Sequence, residues 1–256
     1  VLDLWETLGW AALGDRLSDA AWSGVAIATA GLFVLSWPRR ADLQGSLTGA
    51  ALGLASGAAH ADQLAGASLA QQGGPGITAC VACHGAHGEG QPAAGFPRLA
   101  GQSRAYLLKQ LQEFANGKRK NPQMEPIARA LSAQQMRDAV DYYASLPRWK
   151  AKTKAAASAP QSLLGSSLAL RGNWNKALPA CFACHGPDGA GIPPHFPAIT
   201  GQPSAYTRAQ LKAWQAGTRN NDPQGLMKAV ADKLSEAEID AISLYLENPS
   251  FSARRE

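Results

Sequence analysis

Cys80, Cys83 and His84 stand in the stretch Cys-Val-Ala-Cys-His, and the pattern returns as Cys-Phe-Ala-Cys-His with Cys181, Cys184 and His185. The two copies use all four cysteines of the 256-residue chain. Two thiols three positions apart can form thioethers to the two vinyl groups of one porphyrin, and the adjacent imidazole then lies under the iron as its fifth ligand. Each copy therefore reads as a haem attachment site. Two other chemistries share part of the pattern. A thioredoxin-like redox pair needs no following histidine and normally sits in a βαβ context that the sequence does not offer. A structural zinc would need, for each Cys-Cys-His set, a fourth ligand close in sequence.

The sixth iron position separates electron carriers from enzymes. The chain has three methionines. Met124 and Met227 fall in equivalent stretches, 40 and 42 residues after the two motif histidines, and are expected in loops as axial ligands. A thioether is a soft ligand that favours ferrous iron, and a six-coordinate iron leaves no open site for oxygen or peroxide. Met136 lies on the apolar face of a helical pattern and reads as core filler. His87 and His195 sit in Gly/Pro-rich loops without counterparts in the repeat. They read as solvated residues, with bis-histidine ligation through either as the alternative.

Helical elements must carry these groups. Residues 64–71 suit a helix broken by Gly73-Gly74-Pro75-Gly76. Ser103 is a candidate N-cap for a helix whose apolar face is Leu107, Leu108, Leu111, Phe114 and Ala115, with Gly117 ending it. Ser132 and Gln135 form a capping box before a helix with Met136, Val140 and Tyr143 inward. Between attachment site and helix, Phe96-Pro97 to Gly101-Gln102 is irregular and suits wrapping a flat cofactor. The second half repeats the first: Phe196-Pro197, Gly201-Gln202, Tyr206, Leu211, Gly217 and Asn221 follow their counterparts by 100 residues. The register then slips by three, so that Met227 answers Met124, and Ser235 with Glu238 answers the first capping box.

A composition of 46% hydrophobic and 17% charged residues places the chain among folded proteins. The formal charge of +5 divides into −3 over residues 1–65 and +8 over the remainder. No aromatic and basic interleaving or nucleic-acid motif accompanies the basic part, which excludes that class of partner. Residues 1–61 hold two apolar stretches. Ala20 to Trp37 has the length of a minimal membrane span, but Arg39 and Arg40 flank the end that haem attachment would place outside. Arg39 to Ala61, ending Ala59-His60-Ala61, reads as an export signal, with residues 1–33 expected to come from an upstream start of the reading frame.

With two Cys-x-x-Cys-His sites, the Phe-Pro-x-x-x-Gly-Gln segments at 96–102 and 196–202, the Gly-x-Arg-x-Asn turns at 117–121 and 217–221, and the two late methionines, residues 66–250 resemble a dihaem cytochrome c4. The resemblance implies an all-α fold of two tandem cytochrome c domains related by pseudo-twofold symmetry, behind an N-terminal signal or apolar segment. The expected boundaries are 1–61 for that segment, 62–149 and 163–256 for the domains, and 150–162 for the linker. It also implies two covalently bound c-type haems on Cys80, Cys83, Cys181 and Cys184, with His84, Met124, His185 and Met227 as iron ligands. Pro97 and Pro197 match the position whose carbonyl holds the ligating imidazole. The implied function is that of a periplasmic one-electron carrier, not an enzyme, between a quinol-cytochrome c reductase and a terminal oxidase or other reductase. The alternatives are an electron-accepting subunit of a dehydrogenase, a dihaem peroxidase, and a carrier anchored in the membrane through residues 20–37.

A helical domain of roughly ninety residues has a thin core, and a covalently held porphyrin supplies much of its interior. Chains lacking haem are therefore expected not to fold stably. Circular dichroism of Cys80→Ser/Cys83→Ser, or of the matching pair in the second motif, checks this: a fully helical, cooperatively melting variant contradicts it.

Overall fold

The structure, a computed structural model, describes residues 63–148 and 160–249. Among the described residues the first half has five α-helices: α1 (63–72), α2 (Val81–His84), α3 (Arg104–Ala115), α4 (Met124–Ala130) and α5 (Ala133–Ser145). The second half matches it with α6 (Pro160–Arg171), α7 (Cys181–His185), α8 (Ser204–Gln215), α9 (Leu226–Ala231) and α10 (Glu236–Glu247). Among the described residues, β-pairing is limited to isolated antiparallel bridges such as Gly74 with Ile77 and Asn173 with Leu178. No described helix is long and apolar enough to cross a membrane.

The first helix of each half crosses the last, and a glycine sits at each crossing. A Cβ on Gly66 would lie 2.1 Å from the carbonyl oxygen of Asp138, and one on Gly165 would lie 2.3 Å from that of Ala241. Any larger residue would separate the helices. The inward faces follow the expected period: Leu107 and Phe114 on α3, Val140 and Tyr143 on α5, Ile239, Ile242 and Leu246 on α10 are buried. The α3 helix stops at Ala115, and Gly117, at a φ of +76°, takes the left-handed turn that releases the chain. Both capping boxes form. Ser132 accepts the Gln135 amide and Ser235 that of Glu238, while each N3 side chain returns to the N-cap amide.

Three expectations change in detail. Ser103 takes the N-cap position of α3 but makes no capping hydrogen bond with its side chain. The second half begins with a helix at Pro160, inside the stretch expected as linker; proline is at home in a first helical turn, where its missing N–H is not needed. Met124 opens α4 and Met227 is the second residue of α9, so neither methionine stands in a loop. Helices of seven and six residues are too short to show a period in sequence, and the polar side chains that start them act across a turn. The export signal, the apolar stretch at 20–37 and most of the expected linker lie outside the described residues.

Candidate haem sites

Each Cys-x-x-Cys-His motif forms a single helical turn, α2 or α7, that ends on its histidine and buries it. Pro97 O lies 2.9 Å from His84 Nδ1, and Pro197 O lies 2.8 Å from His185 Nδ1. A carbonyl oxygen only accepts, so Nδ1 carries the proton in both rings and the lone pair is on Nε2. Burial lowers the pKa of both imidazoles and outweighs the carbonyls, which pull the other way. Each ring therefore presents a neutral, oriented Nε2 with no protein partner among the described residues, the state a metal ligand requires. Phe96 and Phe196 stand beside the rings, with centroids 6.5 and 6.1 Å away.

The four thiols are free. Burial pushes the Cys80 thiol up, and that of Cys181 up to about 11, so neither is the low-pKa thiolate of a redox pair. Among the described residues no three His, Cys, Asp or Glu side chains gather to hold a metal ion, and the zinc alternative finds no ligand set. Unbridged thiols beside an imidazole with a free Nε2 fit covalent haem attachment. His87 and His195 are exposed, and His87 is engaged through its backbone N–H with Glu89.

A clasp between the halves braces both carbonyls. Gln102 Nε2 donates to Ala198 O at 2.6 Å, while its Oε1 accepts the Ala198 N–H at 3.1 Å. Gln202 makes the reciprocal pair with Arg98, at 2.9 and 3.0 Å. Arg98 and Ala198 directly follow the two prolines that hold the histidines. Each imidazole is thus tied through its proline to a buried glutamine of the other half. The recurrence of Gly-Gln at 101–102 and 201–202 was the available signal; its target across the interface was not readable.

Arginines of the Gly-x-Arg-x-Asn turns meet at the same interface. Arg119 is buried against the Phe114 ring and donates to Gln110, Tyr206 and Gln210, while Arg219 lies over Trp214 and donates to Gln210, Asn221 and Tyr106. Neither is bonded to a carboxylate among the described residues. Two guanidinium charges are thus held at the interface by neutral side chains.

Met124 and Met227 are half-buried, and Met227 packs against the core of its half. Their amides are capped by different side chains. Asn121 Oδ1 accepts the Met124 N–H at 2.9 Å, whereas in the second half Asp222 Oδ2 accepts the Met227 N–H at 2.5 Å.

Comparison with known proteins places this geometry in context. Residues 64–147 and 175–250 match the family described as Cytochrome c. The chain is 46% identical over 173 residues to the thiosulfate dehydrogenase electron acceptor of Thiomonas intermedia, covering 67% of this chain and 79% of that one. Among solved structures, reduced recombinant cytochrome c4 from Pseudomonas stutzeri superposes with a TM-score of 0.63 at 35% identity, over 73% of this chain and 97% of that one. The as-isolated thiosulfate dehydrogenase of Marichromatium purpuratum superposes with a TM-score of 0.67 at 40% identity. The match covers 75% of this chain and 41% of the Marichromatium chain.

Removing one glutamine of the clasp strands a backbone N–H and C=O at a half-buried site, at about 1 kcal/mol or more. Gln102→Ala should destabilise the holoprotein by about that amount in denaturant melts, and Gln202→Ala likewise. A change within ~0.3 kcal/mol for both would show that the clasp contributes no net stability.

Proposed function

Because the chain belongs to the cytochrome c family, as a dihaem, cytochrome c4-like electron carrier with two covalently bound c-type haems, we propose that it accepts single electrons from a thiosulfate-oxidising dehydrogenase in the periplasm and passes them to a terminal oxidase or other reductase. The observation that carries the transfer role is the pair of oriented, neutral Nε2 atoms, each with a methionine in the matching place of its half. Cys80 and Cys83 hold one haem and Cys181 and Cys184 the other. His84 with Met124, and His185 with Met227, would ligate the two irons. The haems would supply one-electron exchange; the chain holds the buried imidazoles in one tautomer, and its two methionines would complete the ligand sets. With both positions filled the protein has no substrate chemistry of its own, which argues against the peroxidase alternative.

The choice of donor rests on the relatives' descriptions. A thiosulfate dehydrogenase electron acceptor and a thiosulfate dehydrogenase are both similar to this chain at 40% identity or more. This favours the dehydrogenase-acceptor reading over a quinol-oxidising complex as the source. Export to the periplasm fits the chemistry of haem attachment.

Stopped-flow mixing of the oxidised holoprotein with catalytic amounts of a purified thiosulfate dehydrogenase and thiosulfate should reduce both haems, with neither enzyme nor thiosulfate sufficient alone. Fast reduction by a quinol-cytochrome c reductase, with none by the dehydrogenase, would reverse the assignment. The ligand assignment has its own check. Met227→Ala should remove half of the weak long-wavelength absorption band that reports methionine bound to ferric haem; a full-strength band would refute it.

A further inference from the structure

The two methionines are positioned by unlike means, and the difference crosses the domain interface. In the first half Asn121 stays local: its Oδ1 accepts the amides of Gln123 and Met124 at 3.0 and 2.9 Å, and its own N–H donates to Glu125. At the equivalent place in the second half, Asn221 faces the other domain. Its Nδ2 donates to Gln110 Oε1 at 2.9 Å and Glu113 Oε2 at 2.7 Å, and its carbonyl accepts Lys109 Nζ at 2.9 Å. Asn221 is only 3% exposed. The next residue, Asp222, does the capping that Asn121 does in the first half, accepting the Met227 N–H and the Gln224 N–H.

This arrangement has no reciprocal. Lys109 and Glu113 are answered at 209 and 213 by alanines, which can neither donate to Asn121 nor accept from it. Glu113 is itself fixed for the task. Lys109 bonds it at 2.6 Å and Lys118 stands 3.6 Å away. Burial raises its pKa, but the hydrogen bonds from Lys109 and Asn221 and the two lysine charges outweigh that and hold it below the usual carboxylate range. A charged acceptor makes the stronger hydrogen bond, so Asn221 is held by an ionised carboxylate of the first domain. The extra residues after Asn221 make this division feasible, since they let one side chain reach across while its neighbour starts α9.

We propose that the first domain positions the axial Met227 of the second, through Lys109, Gln110 and Glu113 closing on Asn221, whereas Met124 is positioned within its own domain. The inference rests on the reading of Met227 as an iron ligand. Asn221, Glu113 and Lys109 are positioning residues that act through Asp222 and the start of α9. Ligand strength at the second haem then depends on domain packing through Asn221, whereas Asn121, which caps Met124, bonds within its own half.

Imidazole, which displaces a methionine from ferric haem, reads this directly in the full-length holoprotein. In a Met124→Ala background the remaining long-wavelength band reports Met227 alone; in a Met227→Ala background it reports Met124. Glu113→Ala and Asn221→Asp should each lower the imidazole concentration that displaces Met227 about tenfold, and Glu113→Ala should leave Met124 unmoved. Asn121→Ala should weaken Met124 instead. Asn221→Asp keeps the side chain's shape and sets a carboxylate against Glu113, so it serves even if Glu113→Ala fails to fold. An unchanged Met227 midpoint in both variants, or equal weakening of both methionines, overturns the proposal while leaving the ligand reading intact. A full-strength band in Met227→Ala itself overturns both.

Discussion

A hydrogen bond from imidazole Nδ1 to a proline carbonyl governs each half of this protein. It decides the tautomer, and therefore which nitrogen can bind iron, and it sets the ring's angle before any haem arrives. Proline suits the acceptor's place: its ring fixes φ, so the carbonyl is held by the covalent backbone rather than by a side chain free to rotate. That carbonyl belongs to an irregular segment without a regular ladder to hold it. The reciprocal clasp of Gln102 and Gln202 supplies the missing restraint. Orientation of each motif imidazole and association of the two domains are consequently parts of one network.

Duplication explains why that network is symmetric, and divergence explains where it is not. The histidine side of each site keeps the same bonds, with distances of 2.9 and 2.8 Å in the two halves. The methionine side has drifted, through three inserted residues and the replacement of alanine-like neighbours by Lys109 and Glu113 or the reverse. A buried carboxylate without partners would be costly, and Glu113 is tolerated because two lysines and Asn221 share it. The asymmetry gives an electron relay two unlike ends on one repeated scaffold.

Much of this was legible in the sequence, for identifiable reasons. The attachment motifs carry their chemistry in residue type and spacing alone. The capping boxes and the faces of α3, α5 and α10 were readable because they are local or periodic. What escaped was long-range or short-lived in pattern. Gln102 bonds residues 96 positions away, and Asn221 reaches Gln110 111 positions away. Nothing in one copy of the repeat announces a partner in the other. The brief helices α4 and α9 escaped because six or seven residues hold too few turns to display a face. The start of α6 at Pro160 was hidden by an alanine- and serine-rich stretch whose composition reads as linker.

In the proposed ligation side chains of the chain close both irons, as a carrier without an open iron site requires. Carbon monoxide tests this most directly, because it binds ferrous haem wherever a sixth position is open. Exposing the dithionite-reduced holoprotein to carbon monoxide at neutral pH should leave the absorption spectrum of both haems unchanged. A carbon monoxide complex at either haem, formed without denaturant, would contradict the account.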